Sequence, residues 1–415
     1  MSSLLRRTAD FLGLRRSIAG LLAMVVLVGM GERMAERFLP IYLIALGGGA
    51  LSVGLLNGLD NLLSALYSFP GGYLADRLGT KRALLVFNLL AMAGFLVVIT
   101  IPSWPAVIGG SFLFLSWTAI SLPATMDLVS RALPRNKRTM GVTVHSLVRR
   151  FPMALGPVLG GLCIDRWGEV DGVRIAFGAA LVLAVLAAVA QQVLIREDDR
   201  SRSSRAERNP LALWRRMHPS LRNLLVSDIL IRFSEQIPYA FLAIWCMQTL
   251  GTPGIGGSPV SATQFGLLTS VEMATAVLVY IPVAWLADRG GKKPFVLATF
   301  VFFTAFPAVL WFSRSFWPLL LAFVVRGLKE FGEPTRKALI MDLAPEDGKA
   351  GMFGLYYLVR DVIVSVAAFG GALLWLVSPA VNMAAATLFG LIGTVWFAVR
   401  GRNAATNPVE DQGAV

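Results

Sequence analysis

The chain has 415 residues, of which 56% are hydrophobic and 15% charged, and its mean hydropathy is +0.66. Soluble domains carry roughly a quarter charged residues, so this composition excludes an ordinary water-soluble globule. The net charge of +13 is concentrated in a few turns, which makes it topological information rather than a nucleic-acid surface.

About 20 apolar residues are needed for each spanning helix. Twelve runs meet that need: 18–46, 51–75, 82–102, 105–131, 139–164, 174–195, 221–249, 262–287, 293–313, 316–342, 350–376 and 380–399. The first is too long for a cleavable signal peptide and continues into polar residues. Cys163 and Cys246 each lie inside an apolar run and offer neither a disulfide framework nor metal-ligand spacing. The stretch from Arg196 to Pro210 is charged and poor in apolar residues, so 196–220 reads as a linker between halves 1–195 and 221–415.

Basic residues gather on one side of these spans: Arg6 to Arg16, then Arg77, Lys81 and Arg82, then Arg135 to Arg138, Arg196 to Arg222, Arg289 to Lys293, Lys349, and Arg400 with Arg402. The opposite turns hold little beyond Arg166, Arg174 and Arg314. The positive-inside rule puts both termini in the cytoplasm. Spans 3, 6, 9 and 12 have no charge in their interiors, which predicts that they face lipid while the other eight surround a polar centre.

The chain repeats itself. Pro70-Gly71-Gly72-Tyr73-Leu74-Ala75-Asp76-Arg77-Leu78-Gly79-Thr80-Lys81-Arg82 recurs as Pro282 to Lys293, with Asp288 and Arg289 at an offset of 212. Asp60 matches Glu272 at 212, Leu147-Val148-Arg149 matches Leu358-Val359-Arg360 at 211, and Arg33 with Glu36 matches Arg232 with Glu235 at 199. Duplicated membrane halves are the usual build of secondary transporters.

The Gly72-x-x-x-Asp76-Arg77-x-Gly79-x-Lys81-Arg82 turn, with its weaker copy at Asp288-Arg289-x-Gly291-x-Lys293, resembles the signature loops of the major facilitator superfamily. That resemblance covers essentially the whole chain. It implies an all-α membrane protein with twelve transmembrane helices in two pseudo-symmetric six-helix bundles, rocking around a central cavity. Gly156-Pro157-Val158-Leu159-Gly160-Gly161 resembles the end of that family's antiporter motif, although Pro152 stands where a glycine is expected. Generic helix packing accounts for the run equally well.

Ionisable residues inside a membrane are functional candidates by default. Arg33 and Glu36 lie one turn apart, as do Arg232 and Glu235, so each pair is either a structural ion pair or part of a coupling site. Asp60 and Glu272 have no basic neighbour on their own helices and are the preferred proton carriers. Arg149, Arg326, Glu330, Arg360 and Asp361 either bind an anionic substrate group or join the two bundles through salt bridges. The turns with Gly72, Asp76, Arg77, Gly79, Lys81, Arg82, Asp288 and Arg289 read as a cytoplasmic gate, or else as topogenic charge.

The leading expectation is a monomeric secondary transporter of a bacterial inner membrane, moving a small organic molecule by proton-coupled efflux. Uptake of an anionic metabolite and a non-transporting receptor on the same scaffold are the alternatives. No catalytic grouping, metal cluster or nucleotide motif is present in the sequence, so neither an enzyme nor a cofactor is expected.

Overall fold

The computed structural model describes residues 16–115, 138–195, 214–290, 292–344 and 349–401. Every regular element among them is helical. Span 1 is broken in its middle into α1 (Arg16–Glu36) and α2 (Leu39–Ala45), with Pro40 in the first turn of α2. Proline lacks an N–H and its ring crowds the carbonyl four residues back, here that of Glu36, which favours a break at this point. α3 (Gly49–Leu78) and α4 (Thr80–Thr100) are separated by one residue, Gly79, at φ 84° and ψ 149°. That backbone region is open to glycine and strained for any other residue, which explains the glycine in the signature turn.

α5 (Trp104–Phe114) begins span 4, whose remainder lies outside the described residues. α6 (Arg138–Leu194) contains both spans 5 and 6. The two spans meet in a tight turn at Gly168 rather than across a longer loop. Helix continues on either side of Gly168, at φ 82° and ψ 172°, and Gly172 lies against the backbone of Cys163 and Ile164 where the chain doubles back.

The second half begins with α7 (Pro219–Tyr239), which stops just past Pro238. A short α8 (Leu242–Ile244) and a π turn at Trp245–Thr249 complete span 7. Then come α9 (Ala262–Gly290), α10 (Lys293–Phe312), α11 (Phe316–Leu328), α12 (Glu333–Leu343), α13 (Lys349–Val377) and α14 (Pro379–Arg400). Span 10 is thus interrupted at 329–332, ahead of Pro334.

Among the described residues, six helices are long and apolar enough to cross a membrane: 81–100, 148–194, 262–279, 293–312, 352–377 and 379–400. Outward-facing apolar side chains lie along the predicted lipid-facing spans, including Leu96, Val189, Phe312 and Val395. Span 11 also exposes Val366 and Leu373, more than its charge content predicted.

α1 packs along α6, α7 along α13 and α14, and α10 on α14. Among the described residues the sequence halves join most extensively through α6 with α9 and α3 with α13, and α2 also meets α8. Lipid supplies no hydrophobic drive between helices, so close approach depends on small residues. A Cβ on Gly160 would collide with the Met34 carbonyl, and one on Gly161 with the Ala262 carbonyl. The glycines of the Gly156–Gly161 run are therefore the contact surface of α6 with both α1 and α9.

Candidate functional site

A cavity of about 440 Å³ opens between the halves. Along α6 its wall holds Arg149, Arg150 and Met153, while Ala154 onward packs against α9. Along α9 the wall holds Glu272 and Met273, while Ala262 to Ser270 pack against α6. The cavity therefore lies toward the end of the molecule that carries the basic turns, and the opposite end is closed. Asp165 fastens the closed end: its two carboxylate oxygens accept from the Ala262 and Thr263 N–H groups, each at 2.9 Å.

The helix breaks place charge in this cavity. Arg37 sits at the break of span 1, Tyr239 at that of span 7, and Lys329 and Glu330 at that of span 10. Arg37 Nη1 donates to the Tyr239 hydroxyl at 2.7 Å, and Asn57 and Asn61 donate to Gln236 at 3.2 and 3.3 Å. Beyond that seam, toward the closed end, lies a chamber of about 50 Å³ between Leu39, Val53, Leu115 and Phe265, with Glu36 and Asp60 in its wall. Seven basic and five acidic side chains line the larger cavity.

In the second half the acids are neutralised. Arg232 lies 2.5 Å from Glu235, as the spacing predicts, and Lys329 reaches the same carboxylate at 2.7 Å. Glu272 is not an unpartnered acid. Arg326 comes within 2.9 Å and Lys329 within 3.6 Å of it, and Glu272 and Arg326 are both buried. These partners come from span 10, Arg326 being 54 residues further on, so inspection of Glu272's own helix does not find them. Arg326 also lies over the Tyr239 and Phe306 rings, each at 5.4 Å.

The first half is arranged differently. Arg33 pairs with Glu36 at 3.0 Å. Asp60 lines both cavities and forms no ion pair among the described residues. Arg150 crosses to Glu330 at 3.2 Å, a salt bridge between the halves.

A second charged cluster was missed from the sequence. Asp228, buried on α7, pairs with Arg336, accepts from the Tyr356 hydroxyl at 3.0 Å and lies 3.4 Å from Arg360. Arg336 also binds Glu333, and Arg360 binds Asp361 at 2.7 Å while lying over the Tyr357 ring. The available signal was Asp228 itself, a lone acid one turn before Arg232. Arg360 and Asp361 belong to this cluster and are absent from the cavity lining.

The gate expectation divides. The side chains of Asp76, Asp288 and Arg289 lie outside the described residues. Gly72 falls within α3, and Arg77 and Arg82 have partners. Lys81 donates to Gln192 O within its own half, and Lys292 pairs with Asp342 within the other. No group of three or more His, Cys, Asp or Glu among the described residues is arranged to hold a metal ion.

Interrupted membrane helices around a charged cavity define a transporter-type membrane protein. The Major Facilitator Superfamily profile matches residues 21–226 and again 224–414, and the chain belongs to that family. It is therefore an integral membrane protein of a transporter family, not an enzyme. An uncharacterised MFS-type transporter of Methanocaldococcus jannaschii is 21% identical over 381 residues, 88% of this chain and 89% of the relative. The multidrug resistance protein MdtG of Escherichia fergusonii is 24% identical over 350 residues, 81% of this chain and 82% of the relative. The quinolone resistance protein NorA of Staphylococcus aureus is 26% identical over 185 residues, 43% and 45% of the two chains. A crystal structure of the nucleoside transporter NupG superposes with a TM-score of 0.77 at 10% identity, covering 92% of this chain and 99% of that one. At such identity the likeness concerns the fold alone.

Proposed function

We propose that the chain is a monomeric, proton-coupled secondary transporter that exports a small organic molecule by alternating access. Two six-helix bundles, 1–195 and 221–415, rock about the cavity, with both termini and the 196–220 linker in the cytoplasm of a bacterial inner membrane. The observation that carries this reading is the charged cavity between the halves, lined by three interrupted spans and closed at one end by α6 on α9. Discontinuous helices at the interface of a repeat are where transporter substrates bind. With the basic turns inside, the cavity faces the cytoplasm, the side from which an exporter loads. Relatives named for drug resistance favour the outward direction.

Proton coupling is assigned to Asp60. It faces both the cavity and the inner chamber, and no ion-pair partner among the described residues holds it charged. Glu272, fixed between Arg326 and Lys329, serves as a structural member of the site. Purified protein in proteoliposomes, challenged with a panel of drugs and organic anions, tests this. Substrate-driven pH change that disappears in Asp60→Asn supports it. Substrate movement with no proton flux makes the protein a uniporter or a carrier of another ion.

A further inference from the structure

The repeat register exposes a cation that has no ion-pair partner among the described residues of the first half. Arg360 repeats Arg149 at an offset of 211, and α7 repeats α1 at 199. In the second half Arg360 Nη1 lies 3.4 Å from the buried Asp228. The same register carries Asp228 back to Gly29, so the first half has no carboxylate at the position that serves Arg360 in the second. The placement agrees: a Cβ on Gly29 would lie 3.3 Å from Pro152, one turn along α6 from Arg149.

Arg149 is half-buried in the cavity wall and makes no ion pair or hydrogen bond among the described residues. Neighbouring cations are engaged: Arg33 by Glu36, Arg150 by Glu330, and Arg37 by the Tyr239 hydroxyl. Glu32, buried on α1, is an electrostatic neighbour of both Arg149 and Arg33, but it forms no salt bridge with Arg149 among the described residues. A guanidinium that faces the cavity with no salt bridge of its own is open to a ligand that brings an oxyanion to it.

We propose that Arg149 is the anion-recognition residue of the cavity, its planar guanidinium taking the carboxylate or phosphate of a small organic substrate. This rests on the transport reading and narrows its substrate class to oxyanions.

The test titrates purified protein in detergent with 2-naphthoate, 2-naphthyl phosphate and neutral 2-naphthamide, reading quenching of tryptophan fluorescence. Both anions are then assayed for transport in proteoliposomes. The wild type is expected to bind one or both anions about 10- to 100-fold more tightly than the amide, the range of a charge-assisted hydrogen bond. Arg149→Gln removes that preference and Arg149→Lys keeps part of it. Gly29→Asp, which places a carboxylate at the position matching Asp228, also removes it while amide binding persists. Equal binding of the three probes, or binding of none, overturns the proposal, as does an anion preference that survives Arg149→Gln. Arg149-dependent anion binding with transport of neither anion leaves the site standing and removes the transport reading. Transport of an anion that ignores Arg149→Gln does the reverse.

Discussion

Lys81 and Lys293, 212 residues apart, make the same contact: each Nζ donates at 2.9 Å to a carbonyl in the last turn of a helix, Gln192 O for the first and Ala398 O for the second. The last carbonyls of a helix have no intrahelical donor, and the macrodipole places partial negative charge there. A lysine after each signature turn therefore ties the start of span 3 to the end of span 6, and the start of span 9 to the end of span 12. In these two contacts each lysine fastens helices of its own half.

That role sets a modest magnitude. Lys81→Met and Lys293→Met should each lower stability by about 0.3–1 kcal/mol, the range for a cation at a helix C-terminus. The two share no described partner, so the double variant should show the sum. Thermal unfolding in detergent measures this. A double variant that loses much more than the sum would mean that the two contacts are coupled through the interface.

Asp60 and Glu272 occupy matching places in the repeat and are expected to fail differently. Glu272→Gln leaves Arg326 buried without its carboxylate, and breaking a buried pair costs about 3–5 kcal/mol. Its unfolding midpoint should fall well below that of the wild type. Asp60→Asn breaks no described ion pair, so its midpoint should stay near the wild-type value while substrate-driven proton flux is lost. Equal destabilisation of both variants would remove the distinction on which the coupling assignment rests.

How much of this was legible in the sequence follows from where each partner resides. Arg33–Glu36 and Arg232–Glu235 are set by helical pitch, and the spacing alone foretold both. The glycine in the signature turn was legible as a motif, and its φ of 84° supplies the reason. The partners of Glu272 and Asp228 come from other spans, brought near by helix packing that no local pattern encodes. Prolines at 40, 238 and 334 were visible, yet which of them interrupts a helix depends on how neighbouring helices meet the freed backbone groups. Pro152 and Pro157 lie inside α6, which the helix accommodates.

The Gly156–Gly161 run makes a steric prediction. Gly161 is the contact of α6 with the Ala262 backbone, so Gly161→Leu should prevent the closed end from seating. Spin labels at exposed positions 167 and 252, with the two native cysteines replaced by alanine, report the separation of the halves there. A longer mean distance is expected in the variant. An unchanged distance would show that the neighbouring backbone yields instead.

Asp165 acts on the same closure from the other direction, by attraction. Its carboxylate caps the N-terminus of α9 although it belongs to α6, and it accepts two backbone N–H groups at 2.9 Å. Within one helix such a cap would contribute to local stability alone. Here it spans two halves, so its contribution falls on the equilibrium between closed and open forms of that end. Loss of an N-cap costs about 0.5–2 kcal/mol, which corresponds to about a two- to thirty-fold change in that equilibrium. Asp165→Ala should therefore enlarge the long-distance population of the same spin-label pair. Asp165→Asn, which keeps one side-chain carbonyl oxygen as acceptor and loses the charge, should fall between wild type and Ala. The unfolding midpoint should move less than the distance distribution does, because each half keeps its own helix packing. A lowered midpoint with unchanged distances would instead make Asp165 a local cap with no share in closure.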